Sequence, residues 1–221
     1  MRISTLLTLV AVLTGAFAAT AGATGRDNCH LQPVANSPVS LKASQSVGVL
    51  YSENTVGTLD YLTRYHAMAQ KGAPGSTLDT RIRSAFINSS DPRLAIDWLQ
   101  GSLQKTFAKV TVYDNLDALM QAHPDVTVML DAYSQLVTQR NSRVEARYVA
   151  TFYDANLQYI GKAEGAGVKQ MSAVWVHDKS AEQIAAQIDQ QRQLQVNALQ
   201  QFDGSLQALV GAGEGARVAS N

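Results

Sequence analysis

The chain has 221 residues, 46% of them hydrophobic and 16% charged, and Lys plus Arg equals Asp plus Glu at 18 each. That length suits one or two domains, and that balance excludes both a disordered polar tail and an all-apolar membrane protein. Zero net charge removes the electrostatic footprint that nucleic acid or an anionic bilayer demands, and a single cysteine excludes a disulfide framework and a Cys-based zinc cluster.

Residues 1–23 read as a secretory signal peptide. Arg2 gives a short positive start, Ile3 to Ala19 is uncharged and apolar or small, and Ala16/Ala18 and Ala21/Ala23 offer two small-residue cleavage patterns. An anchoring helix is the weaker account, because Thr14, Gly15 and the Ala-rich tail thin the run and no basic stop-transfer cluster follows. Cleavage leaves one excess negative charge, no membrane span and a periplasmic address. Cys29 follows Arg26-Asp27-Asn28, where a lipid-bearing cysteine would follow a Leu-x-small triplet. It reads as a free thiol in a flexible lead-in over residues 24–45; pairing with another chain is the other reading.

From there the elements follow in order. SVGVLY at 46–51 is nearly all apolar, as in a strand covered on both faces. Residues 53–89 form a variable insertion. Leu59, Leu62, Tyr65 and Met68 suggest a short helix over 58–70, the run 71–76 breaks it, and 78–87 fits a helix or a strand. Ser90-Asp91-Pro92 opens a helix with Leu94, Trp98, Leu99, Leu103 and Phe107 on one side. Lys105 and Lys109 lie near its C-terminal end, where the helix dipole favours positive charge. A strand follows at 110–113, and then Asn115 caps a two-turn helix ending at His123-Pro124.

Three antiparallel strands are expected at 125–137, 143–153 and 157–165. Val144, Ala146, Tyr148, Ala150 and Phe152 share one face of the middle strand, and Arg143, Glu145, Arg147 and Thr151 share the other. A three-residue loop at 139–141 sets Val128, Leu130 and Ala132 opposite Phe152, Ala150 and Tyr148. For the second turn, pairing Phe152 with Tyr159 also sets Arg147 opposite Glu164, and a slip that sets Arg147 against Lys162 is disfavoured. A long helix over 180–210, capped by Asp178 or Ser180, carries Ile184, Ile188, Leu199, Phe202, Leu206 and Leu209. Gln187, Gln190, Gln191, Gln193 and Gln195 interrupt that stripe, as in a solvated helix or one that packs on another chain. Residues 211–221, rich in Gly and Ala, form a frayed, disordered tail. The fold class is therefore α/β (α+β). One domain over 46–210 holds a mixed, largely antiparallel sheet with a three-stranded meander, helices mainly on one face and a long C-terminal helix.

The residues assemble no chemistry. His30, His66, His123 and His177 share no metal-ligand spacing, and HExxH, GxSxG and Walker patterns are absent. Gly161, Gly165 and Gly167 read as strand-ending glycines, since no helix opens behind them as a phosphate loop requires. No catalytic residue, cofactor or metal is expected, and the chain is read as a non-enzyme. Asp131, Tyr133, Arg143, Glu145 and Arg147, with Glu164, project from the second face of the meander. They form either a solvated face with weak ion pairs or a docking surface for a protein partner. A reading from another class is a carrier of a lipid or small apolar molecule, with Trp98, Tyr148, Phe152 and Trp175 lining a groove between helices and sheet.

The stretches FAKVTVYDNLDALMQAHPDVTVMLDAYSQL and RVEARYVATFYDANLQYIGKAEGAG resemble the small α/β domain of bacterial envelope proteins. Its examples are the YajG-like lipoproteins, the curli-secretion lipoprotein and the N-terminal domain of the Tol-system translocation protein. The resemblance covers 46–51 and 90–165 and lies in the order of elements. It implies non-enzymatic binding of envelope proteins in assembly, secretion or transport, with no catalytic residues to carry over and self-association left open.

Overall fold

The computed structural model describes residues 37–71, 78–138, 141–172 and 179–218. The element order is β1 (Ser46–Tyr51), α1 (Glu53–Lys71), α2 (Thr80–Ser89), α3 (Arg93–Thr106), β2 (Lys109–Val112), α4 (Leu116–Ala122), β3 (Val126–Gln135), β4 (Arg143–Asp154), β5 (Tyr159–Gln170) and α5 (Ala181–Val218). The strands form one mixed sheet in the order β2-β1-β3-β4-β5. β1 lies parallel to β2 and β3, and the β3-β4-β5 meander is antiparallel. The expected fold class therefore holds.

One face of the sheet is the core. Val47 and Val49 of β1, Val128, Leu130 and Ala132 of β3, and Ala146, Tyr148, Ala150 and Phe152 of β4 pack against Leu99 and Leu103 of α3 and Leu199, Phe202 and Leu206 of α5. Asp91 Oδ1 accepts the Arg93 N–H at 2.9 Å, so the polar residue before Pro92 does satisfy a first-turn donor of α3. α5 opens with a reciprocal cap at Ser180. The Gln183 N–H donates to Ser180 Oγ at 3.2 Å, and the Ser180 N–H donates to Gln183 Oε1 at 2.9 Å. At 38 residues α5 is about 57 Å long, and it stays helical through Val218, past the expected end at 210. α4 covers the opposite face at β1, where a Cβ on Gly48 would sit 2.9 Å from Pro124 Cγ. Asn115 caps that helix through the Ala118 N–H at 2.8 Å, and His123 ends it in the left-handed region at φ 47°.

Where described, the 53–89 stretch is helical except at Leu78 and Asp79, which lead into α2. α1 begins at Glu53, ahead of the expected start, because its first anchors are polar: Thr55 and Thr58 are buried along with Leu62, while Met68 is 61% exposed. β1 ends at Tyr51, so the second half of β3 has no strand beside it, and α1 takes its place. Thr55 Oγ1 donates to the Leu130 carbonyl at 2.9 Å and accepts the Ala132 N–H at 2.8 Å, and the Leu136 N–H donates to the Tyr61 hydroxyl at 3.3 Å. Backbone groups that a strand would have paired are thus satisfied from a helix. α2 seats Ile82 and Ala85 in a second cluster with Val137, Val144, Met171, Ile184 and Ile188.

The β3–β4 register is as expected, with Val128, Leu130 and Ala132 opposite Phe152, Ala150 and Tyr148. The β4–β5 register is not. Phe152 faces Gly161, Arg147 faces Ala166 and Glu164 faces Val149, with an irregularity between Phe152 and Tyr153. An exposed Arg–Glu pair is worth about 0–1 kcal/mol, too little to choose a register. The turn and the helix above the strand decide it. Leu157 adopts φ 60° in a turn held by the Asp154 carboxylate, and β5 must present Gly165 beneath α5. A Cβ there would lie 1.9 Å from the Ala198 carbonyl oxygen and 2.5 Å from the Phe202 nitrogen. Gly161, Gly165 and Gly167 therefore lie inside β5, which runs on to Gln170; they are sites of close approach to α5 and do not end the strand.

Three of the five α5 glutamines are a further correction, while Gln190 and Gln193 are exposed as on a solvated helix. Gln187, Gln191 and Gln195 are buried at four-residue spacing and face inward. Gln187 Nε2 donates to the Ser172 carbonyl, Gln191 Oε1 accepts the Val137 N–H at 2.6 Å, and Gln195 Nε2 donates to the Ser89 carbonyl at 3.2 Å. This polar seam fastens the ends of β5, β3 and α2 to one helix, so its residues face neither solvent nor another chain. Gln191→Leu strips the acceptor from a buried amide and is expected to destabilise by about 1–3 kcal/mol in urea unfolding.

Candidate functional site

The sheet has a second face that the long helices leave open along β4 and β5. Odd-numbered β5 residues point to α5, so Lys162, Glu164, Ala166 and Val168 point away from it, and all four are exposed. Beside them on β4 lie Thr151, Val149, Arg147 and Glu145, half-buried except for exposed Arg147. The surface is mixed in charge. Arg143 Nη2 pairs with Glu145 Oε2 at 3.2 Å, and Lys162 Nζ pairs with Glu164 Oε2 at 2.5 Å, each along its own strand. These exposed pairs contribute about 0–1 kcal/mol each and keep both partners available to solvent.

The five expected docking residues divide. Arg143 and Arg147 are exposed, Glu145 and Tyr133 half-buried, and all four share this face. Asp131 lies on the same side but is only 6% exposed, and it is not available for docking. Its carboxylate accepts from Asn54 Nδ2 at 2.8 Å and Ser52 Oγ at 3.3 Å, with Arg147 Nη2 at 3.9 Å. It pins the start of α1 to β3, a role hidden in the sequence because the start of α1 was hidden. Thr151 lies on this face as expected, whereas Lys162 and Val168 belong to it and were missed, although the alternation along β5 carries the signal.

The expected apolar groove is filled. Tyr148 and Phe152 are 1% and 0% exposed inside the main core, and burial pushes the Tyr148 hydroxyl up to about 12 against a 3.1 Å hydrogen bond with Ser134. Trp98 Nε1 donates to Asp203 Oδ2 at 2.9 Å and Ser102 Oγ to Asp203 Oδ1 at 2.5 Å, so Trp98 joins α3 to α5. Trp175 lies outside the described residues, as do His30, His177, Cys29 and residues 1–23. A cleft of about 520 Å³ sits elsewhere, between the end of β5 and the first turns of α5. It is lined by polar groups including Lys169, Gln183, Gln187 and Gln190. Among the described residues no group of three or more His, Cys, Asp or Glu is placed to hold a metal ion, and no helix is long and apolar enough to cross a membrane.

Fold and surface together define a mixed α/β domain with one helix-covered and one open sheet face. No protein-family pattern and no curated protein matches the chain. Among solved structures it is similar to a point variant of the PelC dodecamer from Paraburkholderia phytofirmans, at 11% identity over 74% of this chain and 95% of that one, with a TM-score of 0.32. A second PelC dodecamer structure from the same organism gives 10% identity, 70% and 90% coverage and a TM-score of 0.31. Similarity at that level says nothing about the assembly or function of this chain.

Proposed function

We propose that this is an exported, periplasmic protein of the bacterial cell envelope, without catalytic activity, that binds other envelope proteins during assembly, secretion or transport. The observation that carries the reading is the open β4–β5 face. It is a rigid surface backed by α5, where Arg143, Glu145, Arg147, Lys162 and Glu164 present both signs of charge over a few strand positions. Mixed, fixed charge on a rigid sheet gives a protein partner orientation and specificity, whereas zero net charge gives no general attraction to polyanions. The leader pattern of residues 1–23 and the order of elements support the address.

The test is crosslinked capture of the exported protein from native envelopes, comparing wild type with Arg143→Glu/Lys162→Glu. Both side chains are exposed and paired only along their own strands, so reversal leaves the melting temperature within about 2 °C. Capture of a reproducible, near-stoichiometric envelope protein is expected to fall about tenfold or more in the variant. Arg147→Glu is the poorer probe, because it sets a second carboxylate beside buried Asp131. Capture that is unchanged by the double reversal removes this face from the binding role.

A further inference from the structure

The two edges of the sheet are treated differently. At the β5 edge the outward backbone N–H of Glu164 donates to Ser205 Oγ at 3.1 Å and that of Ala166 to Gln201 Oε1 at 3.4 Å, so α5 occupies the hydrogen-bonding groups a further strand would need. Charged Lys162 and Lys169 guard the same strand. At the other edge, β2 bonds to β1 on one side only. The Tyr113 N–H donates to the Val49 carbonyl at 2.9 Å, which turns the backbone of Val110 and Val112 outward, and no described residue accepts from either amide. Apolar side chains are exposed beside it: Val112 at 39%, and Leu116 and Met120, one turn apart on α4, at 40% and 38%. An open edge with apolar flanks is what a chain-to-chain strand pairing uses.

The charges at this edge select the occupant. Lys105 and Lys109 are exposed at the entry to β2, and Asp114 and Asp117 are exposed just beyond its exit; no ion pair within the described chain engages any of the four. The edge is therefore positive at one end and negative at the other. A second copy laid antiparallel brings positive end to negative end twice, whereas a parallel copy sets like against like. We propose that β2 pairs antiparallel with β2 of a second copy of this chain across a twofold axis, making one ten-stranded sheet. With Val110 and Val112 as the outward-facing positions, Val110 pairs with Val112 of the second copy and Thr111 lies on the axis. Lys109 then sits against the Tyr113–Asp114 end of its counterpart. The site is independent of the β4–β5 face and leaves both copies of that face open.

Sedimentation velocity on the chain purified after export, from about 1 to about 200 µM, reads the monomer–dimer equilibrium directly. Val112→Pro removes an outward amide that β1 does not use and is expected to weaken dimerisation about tenfold or more. Lys109→Glu is expected to do the same by facing Asp114 of the second copy, and Lys109→Glu/Asp114→Lys is expected to restore affinity to within about threefold of wild type. Circular dichroism melts establish that each variant is folded. A wild-type monomer over the whole range overturns the proposal, and so does a dimer that ignores these substitutions. Slow amide exchange at Val110 and Val112 in a monomer also overturns it, since another segment then covers the edge.

Discussion

Gly165→Ala is expected to cost about 3–4 kcal/mol and to lower the melting temperature by about 10 °C, the largest effect of alanine at any of the described glycines. The reason is distance. An added Cβ would stand 1.9 Å from the Ala198 carbonyl oxygen and 2.5 Å from the Phe202 nitrogen, both backbone atoms of α5. A side chain could swing aside; a helix backbone cannot yield without lifting Ala198, Leu199, Phe202 and Leu206, which are 0–1% exposed in the core. At Gly167 the nearest atom is Leu194 Cδ1 at 2.9 Å and at Gly161 it is Leu209 Cδ1 at 2.7 Å, each the far end of a flexible side chain. Alanine there is expected to cost about 1–2 kcal/mol. Gly204 on α5 has nothing within 4 Å, so Gly204→Ala is expected to stabilise by about 0.5–1 kcal/mol through helix propensity. Urea unfolding of the four variants gives the order. If Gly165→Ala costs no more than Gly167→Ala, α5 does not lie on β5 as described.

These glycines also show where sequence pattern stops being informative. Periodicity was enough for β1, α3 and the β3–β4 pairing, because Val128, Leu130 and Ala132 have to reach one core face and a slip by one residue would expose them all. The β4–β5 register lacked that lever. Gly161, Ala163 and Gly165 are small at every alternate place, so a slip by two leaves the same kind of residue facing inward. What selects among such registers is α5, which meets Gly165 at Ala198 and Phe202, far along the chain from β5. Polar burial was invisible for a similar reason. Thr55, Gln187, Gln191 and Gln195 are inside because they satisfy backbone groups of distant elements, and composition marks them as surface residues. Asp131 belongs with them. The residues of the open face were legible where they alternate with core residues on β4, and Arg143, Glu145 and Arg147 lie on the side expected of them.

Asp154→Ala is expected to destabilise the protein by about 2–4 kcal/mol and to loosen two segments at once. Asp154 is 5% exposed and ends β4 at the turn into β5. Its Oδ1 accepts the N–H groups of Asn156 and Gln158, each at 2.9 Å, which holds Leu157 at φ 60° between them. Its Oδ2 accepts Ser37 Oγ at 2.6 Å, and the Ser37 N–H donates to the Tyr159 carbonyl at 2.7 Å, so the chain ahead of β1 is fastened to the same turn. Burial works against the charged form, but the three hydrogen bonds outweigh it and hold the carboxyl below its ordinary value. A carboxyl depressed in the folded state contributes stability that is present above its unfolded value, near about 4, and is lost as pH falls through the folded value. Wild type should therefore lose this contribution only in acid. Asp154→Asn keeps the shape without the charge, so its deficit at pH 7 should shrink as pH is lowered through about 4 toward about 2. Asp125, held low by the Ser46 amide and hydroxyl, titrates in both proteins and cancels from the difference. Urea unfolding of the pair at stepped pH reads the gap, and a gap that stays constant into acid would mean that the turn is held by shape and not by the charge of Asp154.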